Sequence, residues 1–359
     1  MSTKDTKHTN LNHFFVFLVF FVNKYLYFCS KNKEKSEMTT NYVRILSADQ
    51  IRHSGITPAQ CIDWVEESFK LKYEAQLPVK LTVHPQGDDF FNSMPALLPE
   101  RYGRFGVKIV SRMEAEKPAL KSDILLFDSK TGQLLAIADG DWITAMRTGA
   151  VTALSVRTFK RSDADTYSIM GLGNTARATA LCLIDDAKGQ EIKFRLLRYK
   201  DQAELFIERF KEAKNATFEI IDTMEEFVAG ASVIISCITN AHGSIFCDDD
   251  SKFQKGVLIV PVHSRGFQNC DLFFDKVFGD DTGHISGFKY FPKFRRYDEF
   301  SRVLLGENPG RENDEERILN YNAGLGIHDA LFASKIYDLM SQTDGEGFYQ
   351  QRANEKFWV

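Results

Sequence analysis

A glycine-rich turn between an apolar strand and a helix constrains the fold of this chain more than any other stretch. Residues 167–170 are β-type, and Gly171, Gly173 and Ala176 then stand in G-x-G-x-x-A register before a run of helix formers. Gly171 permits a tight turn, Gly173 lets backbone N–H groups approach a pyrophosphate, and Ala176 lets the helix pack close to the strand. The positive N-terminus of the helix then faces the phosphates. The pattern predicts a dinucleotide-binding unit, and an α/β turn without a ligand is the alternative.

A second strand-like run, residues 193–199, arrives where such a unit contacts the adenosine ribose. Arg198 and Lys200 close this run, at a position where an NAD-preferring protein would carry Asp or Glu. Cations there suit a 2′-phosphate, because guanidinium forms forked, charge-assisted bonds with phosphate oxygens. The predicted cofactor is therefore NAD or NADP, with NADP slightly favoured. The alternative is that both side chains are ordinary surface cations.

Length and composition argue against several other classes of protein. The 359 residues suffice for two domains of ordinary size. A formal charge of −4 gives no basic surface for nucleic acid. The six cysteines contain no Cys-x-x-Cys pair, which fits reduced thiols in a cytosol. The eight histidines show no ligand spacing, so no metal is predicted.

The N-terminal segment poses a separate question. Residues 14–22 are intensely apolar, lie behind lysines and precede a polar stretch. The run is too short to span a bilayer, and although it suits the core of a signal peptide, no small-x-small cleavage site follows it. We therefore expect residues 1–37 to be an extension outside a fold that begins near Met38. We also expect a cytoplasmic protein without stable membrane association, with export as the alternative.

The order of predicted elements divides the remaining chain into two kinds of structure. Thr57 opens a helix with a capping box, and residues 77–141 contain short strands separated by tight turns, which is typical of an antiparallel sheet. Residues 143–159 predict a linking helix. From about residue 160 to 300, nearly continuous apolar strands alternate with helices, which indicates a parallel sheet. The tail pattern predicts helices through residues 319–340 whose apolar side chains need a partner surface.

These elements predict an α/β fold with two domains. A Rossmann-type, doubly wound parallel-sheet domain that binds NAD(P) is expected at residues 156–304. A discontinuous α+β domain with antiparallel strands is expected from residues 38–155 and 305–359, because the tail helices return to the first part of the chain. This second domain is the expected substrate domain.

Three cations are candidates for binding an anionic group. Arg147 lies in the first turns of the linking helix among small residues, so its guanidinium can meet a carboxylate beside the helix N-terminus. The side chain of Thr148 is small, so a ligand can approach the helix surface beside Arg147. Lys108 alternates with apolar neighbours in a strand and so points to the opposite side from them, and Lys80 is a third cation. A helix with one exposed arginine is the alternative for Arg147.

Four stretches stand in the order and spacing of a known family. They are Gly-Val-Lys108, the turn at 128–132, the segment at 139–150 that ends in Arg-Thr-Gly-Ala, and the glycine-rich turn at 171–176. On these residues the sequence resembles the ornithine cyclodeaminase/mu-crystallin family, from about residue 45 to 339. The Arg-Thr-Gly-Ala element with its preceding Asp-Gly is the most specific part of the resemblance.

The resemblance carries expectations about assembly and chemistry. It implies a homodimer in which the discontinuous domain pairs, and NAD(P) held by the Rossmann domain. It also implies a small amino or imino acid whose carboxylate is held by cations matching Lys108 and Arg147, with hydride transfer at the α-carbon. Lys80 stands where the family carries an arginine and is a weaker substitute, because it lacks the forked geometry.

The chain departs from the family pattern at two places. Thr175 replaces a glutamine that is usual in the glycine-rich turn. Arg265 stands where cyclodeaminases carry an aspartate that handles the substrate amine, and Asp271 stands at a following glutamate. An arginine cannot accept a proton from an ammonium group, so the cyclodeaminase assignment loses its base. His263 offers a substitute, with a purely structural histidine as the alternative.

The sequence is compatible with three functions. The first is an NAD(P)-dependent oxidoreductase or ammonia-lyase of this family, with ornithine to proline plus ammonia as the named reaction. The second is an NADPH-dependent ketimine or imino-acid reductase or an amino-acid dehydrogenase, and the third is a non-catalytic, mu-crystallin-like binding protein. The expected catalytic residues are Lys108, Arg147, His263 and Arg265, and the expected substrate-binding residues are Lys80, Lys108 and Arg147. The expected cofactor contacts are Thr148, Gly171, Gly173, Asn174, Thr175, Ala176, Arg198, Lys200 and Thr239.

Overall fold

A computed structural model describes residues 39–238, 247–263, 270–342 and 345–353. The predicted extension at residues 1–37, the predicted cofactor contact Thr239 and the predicted catalytic Arg265 lie outside the described residues. Within the described ranges, two sheets and the helices packed on them enclose the core. No helix in those ranges is both long and apolar enough to cross a bilayer.

Strands dominate the first part of the described chain and alternate with helices afterwards. The strands are β1 Thr39–Leu46, β2 Leu81–Val83, β3 Phe90–Leu97, β4 Arg104–Arg112, β5 Leu120–Asp128, β6 Leu134–Asp139, β7 Thr166–Met170, β8 Ile192–Leu197, β9 Ala216–Ile221, β10 Val233–Ser236, β11 Leu258–Pro261, β12 Lys276–Gly279, β13 Asp298–Glu299, β14 Ile318–Tyr321 and β15 Gly347–Arg352. The α-helices are α1 Ala48–Arg52, α2 Pro58–Lys70, α3 Gly140–Phe159, α4 Asn174–Asp186, α5 Gln202–Arg209, α6 Met224–Val228, α7 Thr282–Ile285, α8 Phe300–Leu304 and α9 Gly326–Met340.

The first sheet is mixed, and its strands β1 to β6 have the order β1-β6-β5-β4-β3-β2. Its strands from β2 to β6 pair antiparallel, as the sequence predicts, while β1, which the sequence analysis did not contain, runs parallel to β6. One face packs on helices. A Cβ built at Gly106 of β4 would lie 2.6 Å from the Cβ of Ala330 in α9. Glycine at this position therefore allows α9 to lie directly on the sheet.

Residues 39–42 and 348–353 belong to a small unit of their own. Within this unit the ring centroids of Tyr42 and Tyr349 lie 5.1 Å apart in tilted geometry. Most side chains of β15 are exposed. An aromatic pair thus joins the two segments of the unit.

The second sheet is parallel throughout and has the order β13-β12-β14-β11-β10-β7-β8-β9. Every residue of β10 and β11 is buried, which explains their almost continuous apolar sequence. From β7 the chain moves to β8 and β9 on one side and then returns to β10 and β11 on the other. Ligands of open α/β sheets bind at the carboxyl ends of the strands where the order reverses. The predicted doubly wound fold is confirmed.

The tail contains a strand that the sequence analysis placed in a helix. Strand β14, Ile318–Tyr321, is completely buried and lies between β11 and β12. A short apolar run buried on both faces has no periodicity that separates strand from helix. The prediction of helix from Leu319 was therefore wrong, and α9 begins at Gly326. The parallel sheet thus reaches past residue 304, and the division into domains stays a prediction.

Helix α3 leads from the first sheet to the second and packs closely on α4. Asp139 caps its start by accepting a hydrogen bond from the backbone N of Asp141 at 3.0 Å, so the helix begins at Gly140. A Cβ built at Gly149 would lie 2.5 Å from the backbone carbonyl carbon of Ala178 in α4. This close contact fixes the glycine-rich turn, at the start of α4, relative to Arg147 on α3.

Candidate functional site

A cavity of about 280 Å³ lies where strands β3 to β5 of the first sheet meet the carboxyl ends of β10 and β11. Its wall contains apolar side chains of the first sheet, the first turns of α3 and the start of α4. Five residues predicted from the sequence line it together: Lys80, Lys108, Arg147, Thr175 and His263. They come from distant segments, so the fold assembles a site that no single stretch contains.

The glycine-rich turn beside this cavity fits a dinucleotide. Gly171 has φ +79°, and a Cβ there would lie 2.5 Å from the carbonyl carbon of Cys237, so both the turn and the contact require glycine. Gly173 is exposed at the N-cap of α4, and a Cβ there would meet nothing within 4 Å. No side chain caps this helix, which leaves its first N–H groups for an anion. Ala176 is fully buried against the sheet.

Arg198 and Lys200 follow β8 but differ in how they are placed for a 2′-phosphate. The Nε of Arg198 lies 2.5 Å from Asp222, and a terminal nitrogen also bonds Glu204. These carboxylates already neutralise the guanidinium. Lys200 has a left-handed φ of 53°, and its Nζ lies 5.2 Å from the ring centroid of Tyr199. The charge argument for NADP therefore rests on Lys200 more than on Arg198.

A buried carboxylate joins the two central cations. Asp329 of α9 lies 2.8 Å from the Nζ of Lys108 and 3.1 Å from the Nε of Arg147. The Lys108 and Asp329 side chains are 0% and 1% exposed. Sequence reasoning missed Asp329. The available signal was an acid among the apolar residues of the first helical turn, since a buried acid needs a paired cation.

Burial and neighbouring charges shift the protonation of this cluster. Burial is the main cause that lowers the pKa of Lys108 to about 7, and Arg147 lowers it further while Asp329 opposes the change. Burial by itself would raise the pKa of Asp329, but Arg147 and Lys108 outweigh it and hold that pKa below its usual value. The cavity therefore combines an ionised carboxylate with a lysine that titrates near neutrality.

The loop after β14 supplies another part of the wall. Lys80 donates from Nζ to the backbone carbonyl of Ala323 at 3.4 Å, and burial, followed by repulsion from Arg147, lowers the pKa of Lys80. Gly324 has φ +82°, and a Cβ there would lie 2.7 Å from a terminal nitrogen of Arg147. The buried carboxylate of Asp280 accepts from the backbone N of Gly324 at 2.7 Å, and burial raises its pKa to about 6. Asp280, also missed from the sequence, thus holds this loop beside the cations.

Three other predicted site residues have different surroundings. His263 follows β11, lines the cavity and has its Nε2 3.1 Å from the Oγ of Ser236. Thr148 donates its hydroxyl to the backbone carbonyl of Thr144 at 2.6 Å, so that group is engaged within α3. Asn174 lines a second cavity of about 700 Å³, bordered by α1, α3, α4 and the end of α5. The first cavity therefore brings His263, but neither Thr148 nor Asn174, to the cations.

Fold and site together define a class of protein. A doubly wound sheet with a glycine-rich turn, joined to a second sheet that supplies a cationic cavity at the ligand-bearing edge, is an α/β arrangement suited to a dinucleotide and a small anion. In the described ranges, no group of His, Cys, Asp and Glu is arranged to hold a metal ion. The sequence pattern of the ornithine cyclodeaminase/mu-crystallin family matches residues 44–344, and the chain belongs to this family.

Named relatives support the same assignment. Delta(1)-pyrroline-2-carboxylate reductase of Bacillus thuringiensis subsp. konkukian is 26% identical over 253 residues, 65% of this chain and 76% of its own length. Ketimine reductase mu-crystallin of Mus musculus is 30% identical over 245 residues, 62% of this chain and 71% of its own length. The structure of Thermococcus litoralis Delta(1)-pyrroline-2-carboxylate reductase in complex with NADH and L-proline has a TM-score of 0.74 at 23% identity, covering 84% of this chain and 98% of that chain. The predicted family and fold are confirmed.

Proposed function

We propose that this chain is an NAD(P)-dependent reductase of small imino acids, which adds hydride to the imine carbon and a proton to the imine nitrogen. The observation that carries the proposal is the pair of cations, Lys108 and Arg147, held on one buried carboxylate in a cavity beside a glycine-rich turn. Two relatives are named as reductases of an imine substrate, which supports the same reaction class here.

The chain's own residues bind and orient the substrate. The Nε of Arg147 is bonded to Asp329, so we assign its terminal NH groups to the substrate carboxylate, with Lys80 as a second cation. Lys108 holds a proton at Nζ and gives it to the imine nitrogen, because an amine that titrates near pH 7 exchanges a proton readily. Apolar Met94, Val110 and Val262 line the same cavity and limit water there.

The cofactor residues of the proposal are those of the turn and of the strand that follows it. Gly171, Gly173 and the first N–H groups of α4 would hold the pyrophosphate, and Thr175 of the same turn lines the cationic cavity. When bound, the nicotinamide supplies the hydride for the imine carbon. Lys200 is the cation available to a 2′-phosphate, so we keep NADP as slightly favoured.

We also propose a homodimer, formed through the face of the first sheet that points away from its helices. Phe91 and Ile109 on this face are 41% and 37% exposed. The rings of Phe105 and Phe127, on neighbouring strands of the same face, lie 6.0 Å apart between centroids. An exposed apolar sheet face of this kind is typical of a protein–protein interface. Cytoplasmic location stays a prediction.

An assay with three arms tests the reductase proposal. NADPH or NADH oxidation is followed at 340 nm with Δ1-pyrroline-2-carboxylate, ornithine plus NAD⁺ is assayed for proline and ammonia, and cofactor binding is measured by fluorescence. We expect oxidation only with the imine. Product from ornithine instead would restore the cyclodeaminase prediction, and binding without any turnover would favour the non-catalytic binding protein.

Variants of one helix link that activity to the cavity. Arg147→Ala should lower kcat/KM by about 10²-fold or more, because a bidentate carboxylate contact is lost from the oriented substrate. Arg157→Ala is the matched control, since Arg157 lies on the same helix and pairs with Asp186 at its surface. Equal activity of the two variants would contradict the assignment of Arg147.

A further inference from the structure

A series of polar side-chain contacts connects Lys108 with Asp141 in the first turn of α3. The Nζ of Lys108 lies 3.5 Å from the Oγ1 of Thr144, which lies 3.0 Å from the Oγ of Ser122. The Oγ of Ser122 lies 3.2 Å from Oδ1 of Asp141. The backbone N of Ser122 also donates to the same oxygen at 2.6 Å. This second bond holds the carboxylate at the end of the series.

The two ends of this series of contacts face different surroundings. The side chain of Lys108 has no exposed surface and borders the 280 Å³ cavity, which substrate and nicotinamide would fill. Asp141 is exposed and lines the 700 Å³ cavity together with Trp142 and Arg177. A proton that reaches Lys108 while its own cavity is filled therefore needs a route through the protein, and the hydroxyls of Thr144 and Ser122 lie on that route.

We propose that Asp141, Ser122 and Thr144 form a proton relay that recharges Lys108 from the solvent of the second cavity. The relay rests on the proposed reductase function, in which each turnover consumes one proton. The protonated Asp141 gives its proton to the Ser122 oxygen, Ser122 gives its own hydroxyl proton to Thr144, and Thr144 gives its proton to the neutral amine of Lys108. Asp141 is left as a carboxylate and takes a new proton from water. Thr144 and Ser122 each gain one proton and lose one.

The electrostatics of both ends favour this transfer. Although Asp141 as a whole is exposed, partial burial of its carboxylate raises its pKa, with Asp139 and Asp123 adding to the change and the bonds from Ser122 opposing it. The pKa of Lys108 moves the other way, to about 7, under burial and the charge of Arg147. The acid therefore holds its proton more tightly than usual and the amine less tightly. The two shifts narrow the difference in proton affinity between the two ends of the relay.

Three variants separate a relay from a merely structural contact. Ser122→Ala and Thr144→Val each remove one hydroxyl from the path, whereas Thr144→Ser keeps it. Thr152→Val is the matched control, because Thr152 is a buried hydroxyl of the same helix that bonds only the backbone carbonyl of Thr148 among the hydrogen bonds described. Circular dichroism and thermal melting of each variant establish that it folds.

The first readout does not depend on turnover. Exchange of the Lys108 Nζ protons with water is measured by NMR on the whole chain labelled with ¹⁵N-lysine, in the presence of NADPH and proline, which fill the first cavity without reacting with each other. We expect Ser122→Ala and Thr144→Val to slow this exchange by about tenfold or more, and Thr144→Ser and Thr152→Val to leave it near the parent rate. Unchanged exchange in both Ser122→Ala and Thr144→Val overturns the relay. Should Thr144→Val fail to fold, Ser122→Ala alone decides.

The second readout is reduction of Δ1-pyrroline-2-carboxylate by NADPH. The relay predicts that kcat falls by about 10²-fold in Ser122→Ala with KM unchanged, and that Asp141→Ala recovers activity when formate buffer supplies a small acid. A higher KM with an unchanged kcat in Ser122→Ala contradicts the relay. Absence of activity in the parent with every imine would instead reject the reductase function, and the exchange measurement still decides whether the relay conducts protons.

Discussion

At the scale of single residues, Asp329 decides the charge of the cavity. Its single negative charge pairs with both Lys108 and Arg147, and all three side chains are buried. Two buried cations without an anion would repel each other in a medium of low polarity. The carboxylate therefore lowers the electrostatic free energy of holding both cations in one place. A substrate carboxylate would add a second negative charge there.

Removing this carboxylate should destabilise the protein. Asp329→Asn keeps the shape but leaves two buried cations uncompensated, so the free energy of unfolding should fall by about 3–5 kcal/mol. Urea denaturation at neutral pH measures the change. The matched control is Asp338→Asn, because Asp338 lies on the same helix and its side chain is 61% exposed. Equal losses in the two variants would show that the buried pairings contribute little.

A buried histidine gives the protein a defined acid sensitivity. His328 is fully buried with its Nδ1 2.6 Å from the Oγ of Ser68, and burial, then Arg147, lowers its pKa from 6.5 to about 3. The unfolded chain therefore binds a proton between those pH values that the native chain does not. This contribution to stability is complete above about pH 6.5 and is lost as the pH falls toward 3, by at most about 1.4 kcal/mol per pH unit.

Replacing this histidine should flatten that part of the pH profile. His328→Asn retains a donor toward Ser68 and removes the titration, so its free energy of unfolding should change less than the parent's between pH 6.5 and 4. Urea denaturation at several pH values gives both profiles. His53→Asn, at an exposed histidine, should follow the parent. A His328→Asn profile parallel to the parent's would mean that another group causes the acid sensitivity.

At the scale of secondary structure elements, the contact between α3 and α4 places the cations relative to the glycine-rich turn. Gly149→Ala puts a Cβ 2.5 Å from the backbone carbonyl carbon of Ala178, which is too close without a shift of one helix. Overpacking should lower the free energy of unfolding by about 1–3 kcal/mol, although alanine favours a helix by about 1 kcal/mol over glycine. Denaturation and cofactor titration measure both consequences. Gly287→Ala, where a Cβ meets nothing within 4 Å, is the control; a Gly149→Ala protein more stable than the parent contradicts the close contact.

The elements that the sequence predicted correctly were those with a local signal. The capping box at Thr57 starts α2 as predicted, and short strand-like runs separated by turn residues located β2 to β6. Strand β14 could not be predicted because its four buried residues have no distinguishing period. Asp329 and Asp280 were missed because their partners lie far away in sequence, and pairing across the fold leaves no local pattern. The cationic residues Lys80, Lys108 and Arg147 were found through their motifs, and the cavity that unites them required the fold.

At the scale of the whole molecule, the outer face of the first sheet should control assembly. Ile109→Glu places a charge in the middle of the proposed interface and should convert a dimer into a monomer, which light scattering after gel filtration detects. The control is Leu305→Glu, since Leu305 is 40% exposed and follows α8, outside the first sheet. A parent that is itself monomeric, or a dimer that survives Ile109→Glu, would refute this interface.

The position of Asp329 late in the chain also bears on biosynthesis. A ribosome produces Lys108 and Arg147 long before it produces helix α9, which brings their shared counter-ion. Until that helix emerges, a nascent chain cannot bury both cations without a large electrostatic penalty. The cavity is therefore completed only late in translation. Chains that stop before residue 329 should be bound by chaperones and degraded by proteases rather than accumulate as folded fragments.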